Sequence, residues 1–210
     1  MDAFFNFFYM SKNLIIQELI ETIKVYNLKG WSPATSTNYS FIDEKNQMWI
    51  SRSGIDKGII SEIDFIPIDQ NGYFTGNNLT FKPSAETAIH LFIYKIFPET
   101  KIILHSHSIY PVLLSSVKKN YFEFQGNEIQ KGFDGEASHL SKLRIPLLEN
   151  SQDMSFFEKE LWTRKSEILH SSLAISKHGT YAWGKNLFEA KRHLETLDYL
   201  CQLEWNLIQK

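Results

Sequence analysis

Short apolar segments alternate irregularly with helical segments along this chain, and several of these short segments follow one another across tight polar turns. Segments 39–42 and 48–51 flank the polar turn 43–47, and segments 173–176 and 181–183 flank a turn that contains glycine. Strands joined by such turns pair antiparallel, whereas strands separated by a helix need a longer crossover. The pattern therefore predicts one α/β domain with a mixed or largely antiparallel sheet.

Helical periodicity and capping residues define the other elements. Ser11, Ser84 and Asn186 are polar residues of the kind that begins a helix. Residues 122–141 give no clear assignment. The predicted helices span 11–27, 84–97, 108–117, 153–170 and 187–208, and the further strands span 65–68, 101–104 and 143–148.

Charge and cysteine content exclude several classes of protein. The 210 residues include 22 Lys and Arg against 24 Asp and Glu, a net charge of −2, which excludes the basic surface of a nucleic-acid-binding protein. The single cysteine, Cys201, cannot form an internal disulfide, which favours a reducing cytoplasm. No apolar stretch reaches the roughly 20 residues of a membrane span. Residues 1–10 are aromatic without a basic leader and are interpreted as a possible extension before one domain over 11–210.

Three histidines carry the strongest chemical signal. His105 and His107 lie two residues apart at the end of a predicted strand, so their side chains point to one side, and His178 ends a later strand before Gly179. Three imidazoles with an open fourth position form a catalytic zinc site, although Fe²⁺, Co²⁺ and Mn²⁺ also accept such ligands. The alternative is that these histidines only pack on a strand. Four other histidines lack such a partner: His90, His139, His170 and His193.

Three loops of small and hydroxyl residues predict an anion site. They offer hydroxyl groups and free backbone N–H groups, one of them at a predicted helix N-terminus, where the dipole favours an anion. Each loop alone also fits an ordinary turn or cap. Together with the histidines and a nearby lysine they indicate a phosphate cradle. Its candidate residues are Thr35, Ser36, Asn38, Ser53, Gly54, Lys57 and Ser84.

Glu86 and Glu128 are the candidate catalytic carboxylates. A metal that polarises a carbonyl group acidifies the neighbouring C–H, and a positioned carboxylate can then remove the proton. Glu86 follows the third small-residue loop, and Glu128 lies in the uncertain middle of the chain. Simpler interpretations remain open for both: Glu86 could complement a helix dipole, and Glu128 could be a solvated loop residue.

Taken in order, these motifs resemble the class II aldolase and adducin-head family over residues 11–208. The resemblance implies a three-layer α/β/α sandwich with a central, mostly antiparallel sheet. It also implies a homotetramer with active sites at subunit boundaries. The motifs that carry it are Pro33–Asn38, Ser53-Gly54, Pro83–Thr87, His105-Ser106-His107 and His178-Gly179.

The resemblance also implies residue roles. One zinc ion per subunit would bind His105, His107 and His178, Glu128 would be the acid/base, and Glu86 would be a base or an extra ligand. The substrate phosphate would lie among Asn38, Ser53, Gly54, Lys57 and Ser84. One departure is Thr37, where many members of the family have glycine.

Four further segments, 30–36, 128–132, 146–153 and 178–184, resemble the members that remove water from a methylthio-substituted ketose 1-phosphate in methionine salvage. Aldol cleavage or 4-epimerisation of another sugar phosphate is the alternative reaction. A non-catalytic binding module, as in adducin heads, is the alternative without an enzyme, but it has no need of three histidines and two carboxylates.

Overall fold

The computed structural model describes residues 12–78 and 80–210, so the expectations for residues 1–10 and for Ser11 lie outside the described residues. Eight strands form one sheet in the order β3-β2-β1-β4-β8-β7-β6-β5. Every neighbouring pair is antiparallel except β6 and β7, which run parallel. The strands are β1 (Tyr39–Ile42), β2 (Met48–Ser51), β3 (Phe65–Ile68), β4 (Ile102–Ser106), β5 (Tyr121–Phe124), β6 (Leu143–Leu148), β7 (Ser172–Ile175) and β8 (Gly179–Gly184).

Five α-helices cover the two faces of the sheet. α1 and α5 pack on one face against residues of β1, β4 and β8, and α3 joins α5 over β5 and β6. α2 and α4 pack on the opposite face. The helices are α1 (Lys12–Leu28), α2 (Thr87–Ile96), α3 (Ile109–Ser115), α4 (Met154–Arg164) and α5 (Leu187–Ile208). The three-layer α/β/α sandwich with a mostly antiparallel sheet is thereby confirmed.

Helix α2 begins later than the sequence predicts. Ser84 is not its N-cap, because a separate turn comes first: the Ser84 carbonyl accepts hydrogen bonds from the Thr87 backbone N–H (3.1 Å) and hydroxyl (2.7 Å). Glu86 occupies the N-cap position instead. This turn places the Glu86 side chain beside the ends of β4 and β8, where the functional site lies.

Helix α4 is shorter than predicted. It ends at Arg164 and passes into a 3-10 turn over Lys165–Glu167 instead of continuing to residue 170. The Arg164 guanidinium donates to the carbonyls of Leu147 (3.1 Å) and Asn120 (2.9 Å), which fastens this end of the helix to the sheet. Over the residues that the structure describes, no helix combines the length and apolarity needed to cross a membrane.

Candidate metal centre and active site

Four side chains converge at the ends of β4 and β8. Their candidate ligand atoms all lie within 4.8 Å of one another. His178 Nε2 lies 2.8 Å from Glu86 Oε1, and His105 Nε2 lies 2.8 Å from His107 Nε2 and 3.4 Å from Glu86 Oε2. The structure thus unites the three predicted histidines with Glu86. We call Glu86, His105, His107 and His178 the metal cluster.

Sheet pairing explains why residues so distant in sequence meet. β4 pairs antiparallel with β8, so His105 lies directly opposite Tyr181, and the two rings stack with centroids 4.0 Å apart. At the start of β8, a Cβ atom on Gly179 would overlap the carbonyl oxygen of Ser106 and lie 3.0 Å from His107 Cδ2. Glycine therefore permits the close approach that brings His178 beside the other two histidines.

His105 and His107 are in the neutral form that binds a metal. His105 is fully buried, and its Nδ1 lies 2.9 Å from the Thr180 carbonyl, so Nδ1 carries the proton and Nε2 presents a lone pair to the cluster. Burial lowers the pKa of His105 well below its usual value, although Glu86 opposes this. Burial, with His178 nearby, lowers the pKa of His107 to about 4. Neutral imidazoles with converging lone pairs fit a divalent cation.

Hydrogen bonds hold the Glu86 carboxylate through the oxygen that does not face His178. Its Oε2 accepts hydrogen bonds from Asn38 Nδ2 (2.6 Å) and from the Tyr181 hydroxyl (3.0 Å), while Oε1 faces His178. Burial alone would raise the pKa of Glu86, but the hydrogen bond with His178 and the nearby His105 outweigh it and hold the pKa well below the usual range. An ionised carboxylate and three imidazoles form a donor set suited to Zn²⁺ and related divalent ions.

Lys57 is the buried cation of the predicted phosphate cradle. Its side chain is only 1% exposed, and Nζ donates to the carbonyls of Ile55 (3.0 Å) and Thr35 (3.5 Å). Burial lowers its pKa to about 8, although Asp56 and Asp64 oppose the shift. Within residues 12–78 and 80–210, no carboxylate lies at salt-bridge distance from Lys57. A buried ammonium group so placed is suited to receive an anionic ligand.

The charge of Lys57 also acts on the metal cluster, where it contributes to lowering the pKa of His107. Hydrogen bonds connect the other loops to the same region. Asn38 Nδ2 lies 3.2 Å from Ser84 Oγ, and the Ser53 amide donates to the Lys82 carbonyl (2.8 Å). The predicted loops thus lie beside the predicted metal ligands.

Exposure and backbone conformation distinguish the remaining cradle residues. Thr35, Ser53 and Gly54 are exposed, and Gly54 has a φ of +76° that favours glycine. Ser36 uses its hydroxyl locally, donating to the Pro33 carbonyl (2.6 Å). Their contacts with a phosphate group remain a prediction.

Thr37 adopts a backbone conformation that favours glycine. Its φ is +68°, in the left-handed region that glycine enters without strain. Its hydroxyl is buried and donates to Ser32 Oγ (3.0 Å). The threonine therefore replaces glycine at a conformational cost, and its hydroxyl satisfies a buried neighbour instead of facing the cradle.

Glu128 lies apart from the metal cluster within this chain. Its side chain is 72% exposed, and its carboxylate contacts Lys131 Nζ (2.5 Å) and His139 Nδ1 (3.3 Å). Lys131 lowers its pKa below the usual range. The residue begins a short 3-10 helix, Glu128–Gly132. Its role as acid/base remains a prediction.

Sequence reasoning missed Tyr181 and His90 as parts of this site. Tyr181 joins the site because of the register in which β4 pairs with β8. A single sequence does not reveal that register. His90 had a clearer signal, since it follows Glu86 by four residues and so occupies the same face of a helix. Tyr181 donates to the Glu86 carboxylate itself, and His90 contacts Asn38, which holds that carboxylate.

Solved structures share this fold. An L-fuculose-1-phosphate aldolase from Thermus thermophilus aligns with a TM-score of 0.73 at 19% identity, covering 94% of this chain and 97% of that one. A sugar-phosphate aldolase from Thermotoga maritima aligns with a TM-score of 0.68 at 19% identity, covering 94% of this chain and 96% of that one. At such identities the likeness establishes the fold alone.

Sequence comparison reaches further. A methylthioribulose-1-phosphate dehydratase from a Picosynechococcus species is 42% identical over 192 residues, 90% of this chain and 91% of that protein. Another, from an Enterobacter species, is 35% identical over 95% of this chain and 98% of its own length. The model of the Class II Aldolase and Adducin N-terminal domain matches residues 17–205. On this match and these relatives, the chain belongs to the class II aldolase and adducin N-terminal domain family.

Proposed function

We propose that this protein removes water from 5-methylthioribulose 1-phosphate and forms 2,3-diketo-5-methylthiopentyl 1-phosphate, a step of methionine salvage. The single observation that carries the proposal is the metal cluster combined with the buried ammonium group of Lys57, whose charge acts on His107. That pair supplies the two things a ketose phosphate requires, namely a Lewis-acid site and an anion site. The full-length similarity to dehydratases of this name supports the choice of reaction.

His105, His107 and His178 would hold one Zn²⁺ ion per subunit, and Glu86 would complete or adjust the coordination. When bound, a divalent ion would supply Lewis acidity that polarises the substrate's carbonyl group and lowers the pKa of the neighbouring C–H. The chain's contribution is to keep His105 and His107 neutral and Glu86 ionised. The hydrogen bonds from Asn38 and Tyr181 hold that carboxylate in place.

Lys57 and the surrounding loops would bind the substrate phosphate and so fix the distance between phosphate and metal. Thr35, Ser53 and Gly54 are exposed at this edge of the site, where they can contact a ligand. Holding a reactant in one geometry can contribute several kcal/mol to lowering a barrier, on the order of 7–11 kcal/mol in the best cases. The phosphate cradle therefore contributes orientation as well as affinity.

Glu128 would perform the proton transfers. Its carboxylate takes the proton from C3, the C3–C4 double bond forms, and the C4–O bond breaks as the same group returns the proton to the departing hydroxyl as water. The resulting C3 enol tautomerises to the diketone. Because Glu128 lies outside its own chain's metal cluster, the proposal includes a homotetramer in which Glu128 of one subunit serves the site of the next.

The test is to incubate the purified, zinc-loaded protein with 5-methylthioribulose 1-phosphate and follow formation of the diketone. His107→Ala should lose bound zinc and turnover together, because it removes a ligand, while His170→Ala should retain both as a histidine control outside the cluster. Absence of diketone from a zinc-containing wild-type protein would exclude the dehydratase reaction. Retro-aldol or epimerised products from other sugar phosphates would then identify the alternative activity.

A further inference from the structure

A line of polar side chains runs through the interface between α2 and the sheet, behind the metal cluster. Glu86, His90 and Tyr94 recur every four residues on one face of α2, and Asn38 and Ser40 alternate on the facing side of β1. His90 and Ser40 are fully buried, and Asn38 and Tyr94 are at most 9% exposed. Hydrogen bonds connect all five residues.

The direction of each hydrogen bond follows from chemistry. Asn38 Oδ1 can only accept, so His90 Nε2, 2.5 Å away, donates to it and carries the imidazole proton. His90 Nδ1 must then accept from the Ser40 hydroxyl (2.7 Å), and Ser40 Oγ accepts from the Tyr94 hydroxyl (2.8 Å). Burial lowers the pKa of His90 to about 3, so the ring is neutral.

The Glu86 carboxylate can only accept hydrogen bonds, and this determines how the Asn38 amide is oriented. With Oδ1 facing His90, the amide nitrogen faces Glu86 Oε2 (2.6 Å) and Ser84 Oγ (3.2 Å). The reversed amide would place its N–H groups against the His90 N–H and its oxygen against a carboxylate. The contact with the carboxylate would be repulsive whichever tautomer His90 adopts, so Glu86 selects the amide orientation, and the His90 N–H that donates to Asn38 Oδ1 helps to hold it.

The rest of this interface is apolar, with Ile89 and Ile93 of α2 packed against the sheet. Buried polar networks are costly unless every member has a partner, and an apolar contact would serve packing equally well. The network here ends on the carboxylate of the metal cluster, which gives its members a role beyond satisfying one another.

We propose that His90, hydrogen bonded to Ser40 and through it to Tyr94, is a positioning residue that acts through Asn38 to fix the Glu86 carboxylate in the metal cluster. The inference rests on the metal centre of the proposed function and is independent of its substrate. On this proposal, α2 carries the carboxylate at its start and, one turn later, the residue that orients this carboxylate.

The test is titration of the full-length metal-free protein with Co²⁺, whose visible absorption reports both affinity and coordination geometry. Loss of an outer partner of a metal ligand typically reduces metal affinity by about 10–100-fold, so His90→Leu should weaken Co²⁺ binding by that factor and change the band shape. His90→Gln should restore most of the affinity, because the glutamine amide can still donate to Asn38 Oδ1. His193→Gln, at a buried histidine on α5, is the control and should bind as wild type does.

Circular dichroism and thermal unfolding identify variants that have lost their fold. Where His90→Leu has done so, Tyr94→Phe decides the matter, because it removes only the hydroxyl at the far end of the network. Tyr94→Phe should weaken Co²⁺ binding several-fold with an unchanged fold. Folded His90→Leu or Tyr94→Phe with wild-type affinity and spectrum would overturn the proposal, as would His90→Gln as weak as His90→Leu. A wild-type protein that binds no Co²⁺ would instead refute the metal centre itself.

Discussion

The metal cluster and the segment that carries Glu128 are built in opposite ways. His105 is buried, stacked on Tyr181 and hydrogen bonded to the backbone at Nδ1, so its position is determined by the sheet. Glu128 begins a short 3-10 helix, is 72% exposed and pairs with the side chains of Lys131 and His139, which are themselves partly exposed. Such solvent-screened ion pairs hold a side chain weakly.

The difference teaches which part of the chemistry one chain can complete alone. Metal binding needs several ligands fixed to within a fraction of an ångström, and the β4–β8 pairing provides them within the chain. The proposed acid/base has no such support here. We therefore expect the metal to bind a single chain's residues and the proton transfer to depend on how chains assemble.

The largest expected effect separates these two regions directly. Glu128→Gln should reduce kcat by about 10²–10⁴-fold, the usual contribution of a general acid/base, because an amide cannot accept the C3 proton. The metal content should remain that of the wild type, since Glu128 is no part of the metal cluster. Measured zinc content together with diketone formation checks both statements, and undiminished turnover would remove Glu128 from this role.

Mixed assemblies sharpen the same prediction. Neither His107→Ala nor Glu128→Gln should be active alone, but co-assembled subunits should form some sites with an intact cluster from one chain and Glu128 from the other. Random pairing in a symmetric oligomer would restore about a quarter of wild-type activity. If mixing restores nothing although the subunits exchange, Glu128 acts within its own chain or not at all.

A smaller effect is expected at Gly179, which tests whether strand packing determines the metal cluster. Gly179→Ala would push a methyl group against the Ser106 carbonyl and His107, so β4 and β8 must separate locally. We expect Zn²⁺ affinity to fall by about 10–100-fold, as when other supporting contacts of a metal ligand are lost. Chelator competition measures the change.

The control is Gly184→Ala, at the other end of the same strand. A Cβ atom there would lie 2.6 Å from Glu189 Cβ and 2.7 Å from the Ala190 amide nitrogen, so the crowding is comparable. Both variants should unfold at lower temperature, but only Gly179→Ala should lose zinc affinity. Equal zinc affinity in the two would show that the cluster tolerates movement of β8.

Much of the framework around the cluster could be predicted from sequence because its signals are local. β1, β3 and β6 have the predicted bounds, and Asn186 caps α5 as expected, with its side chain accepting from the Glu189 amide (2.9 Å). The His105 and His107 pair followed from period-two geometry alone. Long-range pairing was beyond reach, since nothing local states that β4 lies beside β8.

The start of α2 shows why the remainder was missed. Ser84 has the chemistry of an N-cap, yet the structure uses it in a preceding turn, and Glu86 takes the cap position. The local preference for Ser84 as N-cap is overridden because the Glu86 carboxylate lies beside the histidines and accepts hydrogen bonds from Asn38 and Tyr181. A functional contact between distant residues thus decided where the helix begins.

The last prediction concerns Lys57, whose burial favours binding of an anion but lowers the stability of the folded protein. Its pKa is lowered from 10.5 to about 8 in the folded protein, so below pH 8 both folded and unfolded chains carry the charge and folding bears the cost of burying it. That cost disappears as the pH rises from about 8 to 10.5. Lys57→Met should therefore be more stable than wild type at pH 7, by up to about 3 kcal/mol, and the advantage should shrink at higher pH. Urea unfolding at two pH values measures it.

The same substitution should weaken binding of inorganic phosphate by about tenfold at pH 7, the value of one charge-assisted hydrogen bond. Wild-type affinity should fall as the pH rises through 8, because Lys57 loses its proton, whereas Lys57→Met should show no such decline. Calorimetric titration at several pH values distinguishes these curves. If Lys57→Met gains stability but binds phosphate as wild type does, the buried ammonium is not part of the phosphate cradle, and the exposed loops alone must bind the anion. If Lys57→Met both gains stability and loses phosphate affinity, the role of Lys57 in binding phosphate explains why a destabilising buried charge is present.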